Sequence, residues 1–436
     1  MKNLANTFRR MTWLVAIALM AVTTPILAGI SNHTSPLNNE EAKGFVQVKG
    51  KIVDSNSGTP LTFATISIDG TAISTVSNSE GDFALKVPDA FTNKSIRVSF
   101  LGYRDKLISI QALNKDKNKI TMDALTVNLT EINVFPTDPQ LLIKAVLKRK
   151  KDNYSESPEL MTAFYRETIK KRRNYASLSE AVIEVYKQSY NNDRDDLVRL
   201  LKGRKSDDYT KLDTLVFKLM GGPLSTLSLD LMKNPYMILD EEMMDKYIYR
   251  IANITKSNDR LIYILEFEQK KEVEEPLFSG KIYIDTESLA ITSASYRVNT
   301  SNKAEVSKIF IRKKPAGADV YPTEANYMVN YAPRNGKWVF NYSRGDVIFK
   351  VDWKKKWFNT IYNTTIEMAA TNWNSEDVNK PFKASDRIKM NVIMNDAVDG
   401  FGDTEFWGAY NVIEPEKSIE SAIKKIKKNI EELNKK

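Results

Sequence analysis

The sequence predicts a mainly β protein with flanking helices: a small Ig-like β-sandwich, then a larger antiparallel β-meander, a curved sheet, ending in a C-terminal helix. Three observations predict it. Residues 45–130 alternate apolar and polar side chains, with turn residues between the runs. From about Ala163 onward, strand-like runs follow one another over short connections, which favours antiparallel pairing over a parallel sheet. Helical spacing is confined mainly to residues 138–153 and to the stretch after Pro415.

Within the sandwich, Val46, Val48 and Ile52 alternate with polar neighbours, as do Ala64, Ile66 and Ile68, then Phe83, Leu85 and Val87, then Ile96, Val98 and Phe100. Between them Ser55 to Pro60, Asp69 to Thr71, Asn78 to Asp82 and Pro88 to Asn93 are turns by composition. About seven short strands at this spacing form two packed sheets. The period then changes. Asp138 is a good N-cap and Pro139 suits the first helical position, and Leu142, Ala145, Val146 and Arg149 continue at three- and four-residue spacing. This helix opens a second domain over 136–436.

In that domain Gly221, Gly222 and Pro223 break an apolar segment, with helix expected from Leu224 to Met232. Strands are expected over Leu261 to Glu268, Lys281 to Asp285, Ala290 to Val298, Asn326 to Ala332, Lys337 to Tyr342, Asp346 to Trp353 and Asn359 to Ala369. Asn335 and Gly336 lie between two of them, and both tolerate the positive φ of a type I′ hairpin turn. After Pro415, the residues Ile419, Ile423, Ile426, Ile430 and Leu433 make one apolar stripe, with lysines on the other faces. A closing helix packed on its own sheet is the simpler account of that stripe. A membrane-surface or coiled-coil role is the alternative.

The N-terminal segment stands apart. Lys2, Arg9 and Arg10 precede an apolar run from Met11 to Leu27, and the small residues Ala28 and Gly29 follow. That is the layout of a secretory signal peptide, 1–28. A permanent anchor fits less well, because Thr23, Thr24 and Pro25 interrupt a run already short of the roughly 20 apolar residues a spanning helix needs. Residues 29–44, rich in Ser, Asn, Pro and Glu, read as a disordered leader. No later stretch has spanning length, so no transmembrane span is expected after cleavage and peripheral membrane association stays open.

Cysteine is absent from the 436 residues, which removes disulfides, thiolate metal sites and lipid attachment through an N-terminal Cys. The formal charge of +9 falls to +6 once Lys2, Arg9 and Arg10 are removed. Basic clusters recur at Lys148 to Lys151, Lys170 to Arg173, Arg312 to Lys314, Lys354 to Lys356 and Lys424 to Lys428. Such runs are usually solvated surface. The sharper reading is attraction to an anionic envelope surface, such as lipid head groups or phosphorylated glycolipid. Nucleic acid is a poor partner for an exported chain.

One stretch carries a family pattern. Gly50 and Asp54, then Gly58, Pro60, Leu61 and Ala64, then Gly70 and Thr71, Gly81 and Phe83, and finally Gly102 with Tyr103 occur in order between Val48 and Tyr103. This pattern resembles the carboxypeptidase-like regulatory domain, a transthyretin-like β-sandwich found in Bacteroidetes cell-envelope proteins, including many TonB-dependent transporters. The resemblance implies a scaffold without catalytic residues, in the periplasm or at the outer membrane of a Gram-negative bacterium. The remainder, with Phe164, Tyr165, Arg166 and Glu167, the Gly221 to Pro223 break, Gly280 to Asp285 and Phe406, Trp407, Gly408, resembles an uncharacterised Bacteroidetes group carrying the same module. No activity comes with it.

Chemistry finds little support. Zinc peptidases need two histidines and a carboxylate, whereas the single histidine, His33, lies in the leader. A Ser-His-Asp triad fails for the same reason. Neither a phosphate loop nor a dinucleotide fingerprint appears. A carboxylate pair for glycoside hydrolysis survives composition, from Asp240, Glu241, Glu242 and Asp245 or Asp399 and Asp403, although a helix surface and a turn are the simpler account of these residues. A Ser-Lys dyad is likewise unsupported. Asp396, Asp399, Gly400 and Asp403 lack the EF-hand spacing.

Trp338, Phe340, Tyr342, Phe349, Trp353, Trp357, Phe358, Tyr362 and Trp373 crowd the meander, as core or as the lining of a groove for lipid, glycan or peptide. A TonB-dependent barrel of about 22 strands does not fit into residues 136–436. The expectation is therefore a non-catalytic exported envelope protein with a binding or assembly role at the periplasmic face of the outer membrane. No catalytic, cofactor-binding or metal-ligating residue and no cofactor is assigned. The alternatives are a carrier of an apolar, lipid-like ligand within the curved sheet and a carboxylate-pair glycan hydrolase.

Overall fold

A computed structural model describes residues 19–20, 44–126, 138–172, 174–207, 216–354, 357–374, 378, 380–398 and 406–421. Apart from the short pairing of Leu19–Met20 with Val216–Phe217, the segments expected to be a signal peptide and a leader, up to Lys43, lie outside the described residues. So do Arg173, Lys355, Lys356, Asp399, Gly400, Asp403, Lys424 to Lys428 and the apolar positions Ile423, Ile426, Ile430 and Leu433.

The first alternating region folds as two small sheets. Strands β1 (Phe45–Asp54), β2 (Thr65–Ile68), β3 (Ser74–Val76), β4 (Asp82–Pro88), β5 (Ser95–Ser99), β6 (Lys106–Ser109) and β7 (Asn118–Met122) form it. One sheet has the order β4-β1-β7 and the other β3-β2-β5-β6. All pairs are antiparallel except β1 with β7. Val48, Ile52, Ile66, Ile68, Phe83, Leu85, Val87, Ile96 and Val98 pack together between the sheets, at the alternating positions the sequence marks as inward.

The family signature has a mechanical basis here. Asp54 Oδ1 accepts from the Asn56 and Ser57 amides at 3.0 and 2.6 Å, and its Oδ2 accepts from the Tyr103 hydroxyl at 3.0 Å. One carboxylate thus closes the first turn and ties it to the last residue of the pattern. Gly50 is fixed by close approach: a Cβ there would lie 2.6 Å from the Asn118 carbonyl oxygen and 2.8 Å from the Phe83 ring.

The second part is one antiparallel sheet of ten strands. They are β8 (Glu159–Lys171), β9 (Asn174–Lys187), β10 (Leu197–Asp207), β11 (Tyr247–Ser257), β12 (Arg260–Gln269), β13 (Phe278–Asp285), β14 (Ile291–Val298), β15 (Ala318–Arg334), β16 (Lys337–Trp353) and β17 (Thr360–Asn374). The order is β10-β9-β8-β17-β16-β15-β14-β13-β12-β11. Seven strands thus form the expected meander, but β8 to β10 join it beside β17. Residues 208–246 must therefore carry the chain from one edge of the sheet to the other.

Helix α1 (Pro139–Lys148) starts at Asp138, whose Oδ1 accepts from the Gln140 and Leu141 amides, and α2 (Lys150–Asn153) continues it. The chain then includes α3 (Pro223–Leu227), α4 (Glu241–Met244), α5 (Lys303–Phe310) and α6 (Met394–Ala397). Among the described residues, no helix is long and apolar enough to cross a membrane.

Several expectations need correction. The two strands expected at Lys337 to Tyr342 and Asp346 to Trp353 are one continuous strand, β16. Ser343, Arg344 and Gly345 look like a break, but Gly345 pairs with Tyr327 on one side and Ile366 on the other. The helix expected from Leu224 to Met232 ends at Leu227, and turns follow. The helix after Pro415 is described only over residues 417–421.

Candidate functional site

Strand alternation gives the large sheet two chemically distinct faces. The first carries Ala163, Tyr165, Ala181, Ile183, Val185, Val329, Tyr331, Val347 and Phe349, which pack against Leu219, Leu227, Leu229, Leu231, Met232, Met237, Ile238 and Leu239 of the edge-to-edge connection. A polar cluster lies within this apolar contact. Lys187 at the end of β9 donates to Asp196 Oδ2 at 2.6 Å and to Asp230 Oδ2 at 2.8 Å. The Tyr190 and Tyr331 hydroxyls donate to Asp230 at 2.8 and 2.7 Å, and the Gln188 amide donates to Asp196.

Burial raises the cost of ionising Asp230, but Lys187 and the donated hydrogen bonds outweigh it and hold its pKa below the usual value. The same two carboxylates outweigh the desolvation of Lys187 and keep it charged. Nearby, burial pushes Lys233 down to about 8, although its Nζ donates to the Ser189 and Asn192 carbonyls at 2.7 Å.

The other face carries a second buried network. Arg166 Nε donates to Glu180 Oε1 at 2.7 Å and Arg204 Nε to Glu180 Oε2 at 2.7 Å. Arg166 Nη1 reaches Glu367 at 3.2 Å, and Glu367 Oε2 accepts from the Tyr342 hydroxyl at 2.9 Å. Arg344 forks onto Asp346 at 2.6 and 2.8 Å. Desolvation alone would raise the Glu180 pKa, but the two guanidiniums lower it.

This face receives the N-terminal sandwich. The Phe63 ring stacks on Tyr342 at 5.1 Å and lies under the Arg344 guanidinium. Ser74 Oγ donates to the Ala370 carbonyl, and Asn341 Nδ2 to Thr65 Oγ1. Residues 406–416 run between the two bodies as a strap. Arg166 Nη2 donates to the Ile413 carbonyl from the large sheet, while Thr75 Oγ1 and Asn78 Nδ2 donate to Val412 and Glu414 from the sandwich. Lys86 donates to the Gly408 and Tyr410 carbonyls, and burial there pushes its pKa down to about 8.

A polar cleft of about 330 Å³ opens beside the strap, lined by Lys49, Lys51, Asp82, Asn118, Glu414 and Glu420 among others. Lys49 pairs with Glu414 at 2.8 Å and Lys51 with Asp82 at 3.4 Å.

The residues singled out from sequence are scattered. Asp240 caps α4; Glu241, Glu242 and Asp245 are exposed around it, and Glu241 lies 3.5 Å from Lys144. Asp396 is exposed and pairs with Lys218 at 2.7 Å. Trp338, Phe340, Tyr342, Phe349, Tyr362 and Trp373 are buried in the core, whereas Trp357 and Phe358 are 99% and 80% exposed. Sequence reading missed Lys187, Asp196, Asp230, Glu180 and Glu367. Their signal was a charge inside an apolar run, as in Leu227 to Met232 around Asp230. Among the described residues, no group of three His, Cys, Asp or Glu side chains is arranged to hold a metal.

Residues 48–134 match the family model of the CarboxypepD_reg-like domain, the region that forms the small sandwich. Comparison with the curated proteins gives no match. Among solved structures, the chain is similar to a DUF1329 family protein from Desulfovibrio piger ATCC 29098, at 14% identity over 57% of this chain and 99% of that one, with a TM-score of 0.24. Lipovitellin, solved in a study of lipid–protein interactions, gives 7% identity over 58% of this chain and 29% of that one, with a TM-score of 0.26.

Proposed function

We propose that the chain is a non-catalytic exported protein of a Gram-negative cell envelope, with a binding or assembly role at the periplasmic face of the outer membrane. The observation that carries this reading is the seam between sandwich and sheet. Its arginines, carboxylates and carbonyls satisfy one another, and the 406–416 strap is bonded to both bodies. Such a seam holds two surfaces in fixed relation, which suits docking. The location rests on the apolar run after Lys2, Arg9 and Arg10 and on the resemblance of the sandwich to a module of Bacteroidetes envelope proteins.

The alternatives draw less support. An apolar carrier needs space on the face that the 219–239 connection covers. A glycoside hydrolase needs one carboxyl kept protonated, whereas Asp82 and Glu414 in the cleft are each paired with a lysine. Photo-cross-linking in intact cells from position 107, a half-exposed Leu on β6, tests the proposal. Cross-links to an outer-membrane or periplasmic component, with the chain recovered in the envelope fraction, are expected. Recovery in the cytosol, without envelope cross-links, would sink the reading.

A further inference from the structure

Residues of three basic clusters that are far apart in sequence, namely Arg172, Arg312 to Lys314 and Lys354, meet at one end of the large sheet. Strands β15 and β17 run away from this end, and β8 and β16 run toward it, so their connecting turns gather there. The Lys354 amide donates to the Gly317 carbonyl at 3.0 Å, which sets the β16–β17 hairpin beside the loop carrying Arg312, Lys313 and Lys314. On the other flank, the Arg172 amide donates to the Ile361 carbonyl at 2.9 Å, and Asn363 Nδ2 to the Arg172 carbonyl at 3.1 Å. Arg172, Arg312, Lys313, Lys314 and Lys354 are all exposed. Among the described residues, Asp319 pairs with Lys314 at 2.8 Å.

The hairpin between the flanks exposes its largest apolar groups. Trp357 is 99% and Phe358 80% accessible, and Ile361 next to Arg172 is 41% accessible. The other large aromatics of this meander are buried or half-buried, so core packing explains neither of these two. A Trp-Phe tip ringed by cations has the composition of a membrane-interface anchor: the rings enter the head-group layer while lysine and arginine meet anionic lipid.

We propose that this end of the sheet, through Trp357 and Phe358 with Arg172, Arg312, Lys313, Lys314 and Lys354, docks the protein onto an anionic lipid bilayer surface. The inference rests on the envelope role proposed above and names its partner. The sandwich stays a separate surface, because its contacts lie on the Tyr342 and Arg344 face and on the Asn258 turn rather than on these basic residues.

The absence of cysteine makes a local test clean. In the full chain, Phe358→Cys carries a bimane label, and Leu107→Cys on the sandwich serves as the control. With vesicles of phosphatidylcholine plus phosphatidylglycerol, a blue shift is expected at position 358 and none at 107. Pure phosphatidylcholine should produce neither. Adding Lys313→Glu and Lys354→Glu should weaken vesicle binding read at 358 by about thirtyfold or more, since each basic residue near an anionic surface contributes roughly fivefold. The fold should be unchanged by circular dichroism, because all these side chains are exposed.

No shift at 358, an equal shift with pure phosphatidylcholine, or an equal shift at 107 would overturn the proposal. So would a blue shift that appears with protein concentration and without vesicles, which marks a second copy as the occupant. Envelope cross-links from position 107 without a vesicle response at 358 would remove the lipid partner and leave the envelope role standing.

Discussion

The two buried charge networks lie on opposite faces of one sheet and are built differently. On the connection-covered face, a single lysine is shared by two carboxylates, and two tyrosines complete the shell of Asp230. On the sandwich-covered face, three arginines and three carboxylates alternate, and one guanidinium also holds a strap carbonyl. Lysine is a compact point charge that suits a closed pocket, whereas the guanidinium fork bonds several partners in one plane and so bridges separate chain segments. The first network fixes a connection within one body. The second joins two bodies.

Breaking either network should produce the largest effects. Asp230→Ala leaves Lys187 with one carboxylate and removes the acceptor of the Tyr190 and Tyr331 hydroxyls, and Glu180→Ala leaves two buried guanidiniums short of an acceptor. Each should cost about 3–5 kcal/mol in urea denaturation at neutral pH. The comparison sharpens in the readout. Glu180→Ala should also free the strap, seen as faster limited proteolysis within residues 406–416, while Asp230→Ala should leave the strap as resistant as in the parent. Equal strap cleavage in both variants would refute the division of labour.

The pH dependence should distinguish the networks less sharply. Asp230 and Glu180 have folded pKa values below their unfolded ones, so the unfolded chain binds more protons as acid is added. Their contribution is complete above about pH 5 and is lost as pH falls through the folded values. Lys86 and Lys233 behave differently at alkaline pH. Each falls from 10.5 to about 8 on folding, so between these values the unfolded state again binds more protons and stability rises with pH. Above about pH 10 the buried tyrosines, raised on folding, reverse the trend. Lys86→Met should flatten the rise measured by denaturation between pH 8 and 10; an unaltered slope would show that Lys86 does not titrate in the seam.

The smallest effect is a difference in sign between two tyrosines on β15. Tyr331 donates to Asp230 at 2.7 Å, whereas the buried Tyr327 hydroxyl has no hydrogen-bond partner among the described residues. Tyr331→Phe should destabilise by about 1–3 kcal/mol, and Tyr327→Phe should be neutral or stabilising by about 1 kcal/mol. Both are read as shifts in the urea midpoint; a loss of stability from Tyr327→Phe would mean its hydroxyl is satisfied.

The sandwich was legible because its strands are short and its turns are spelled by Gly, Pro, Asn and Asp. The large sheet was legible strand by strand from Leu261 to Ala369, but less so near its other edge. In β9, buried Ser177 and Ser179 interrupt one face and buried Glu180 the other, and in β10 charged residues dominate Leu197–Asp207. Those polar residues look like surface until their partners on other strands and on the strap are in place. The same reasoning explains the split of β16, where Ser343 and Arg344 are buried or half-buried because Thr226, Asp346 and Glu367 receive them.

By itself, the sequence determined the β-rich class, the sandwich with its Asp54 and Gly50 anchors, and the meander from β12 to β17. Local alternation and turn chemistry act between near neighbours, and those are written in the chain. Only the tertiary structure decided that β8 joins β17, that Asp230 meets Lys187 across 43 positions and Arg166 meets Glu367 across 201, and that Arg172, Arg312 to Lys314 and Lys354 lie at the same end of the sheet as Trp357 and Phe358. A charge or an aromatic ring carries no mark of its distant partner. Which face it meets depends on the order in which the strands pair.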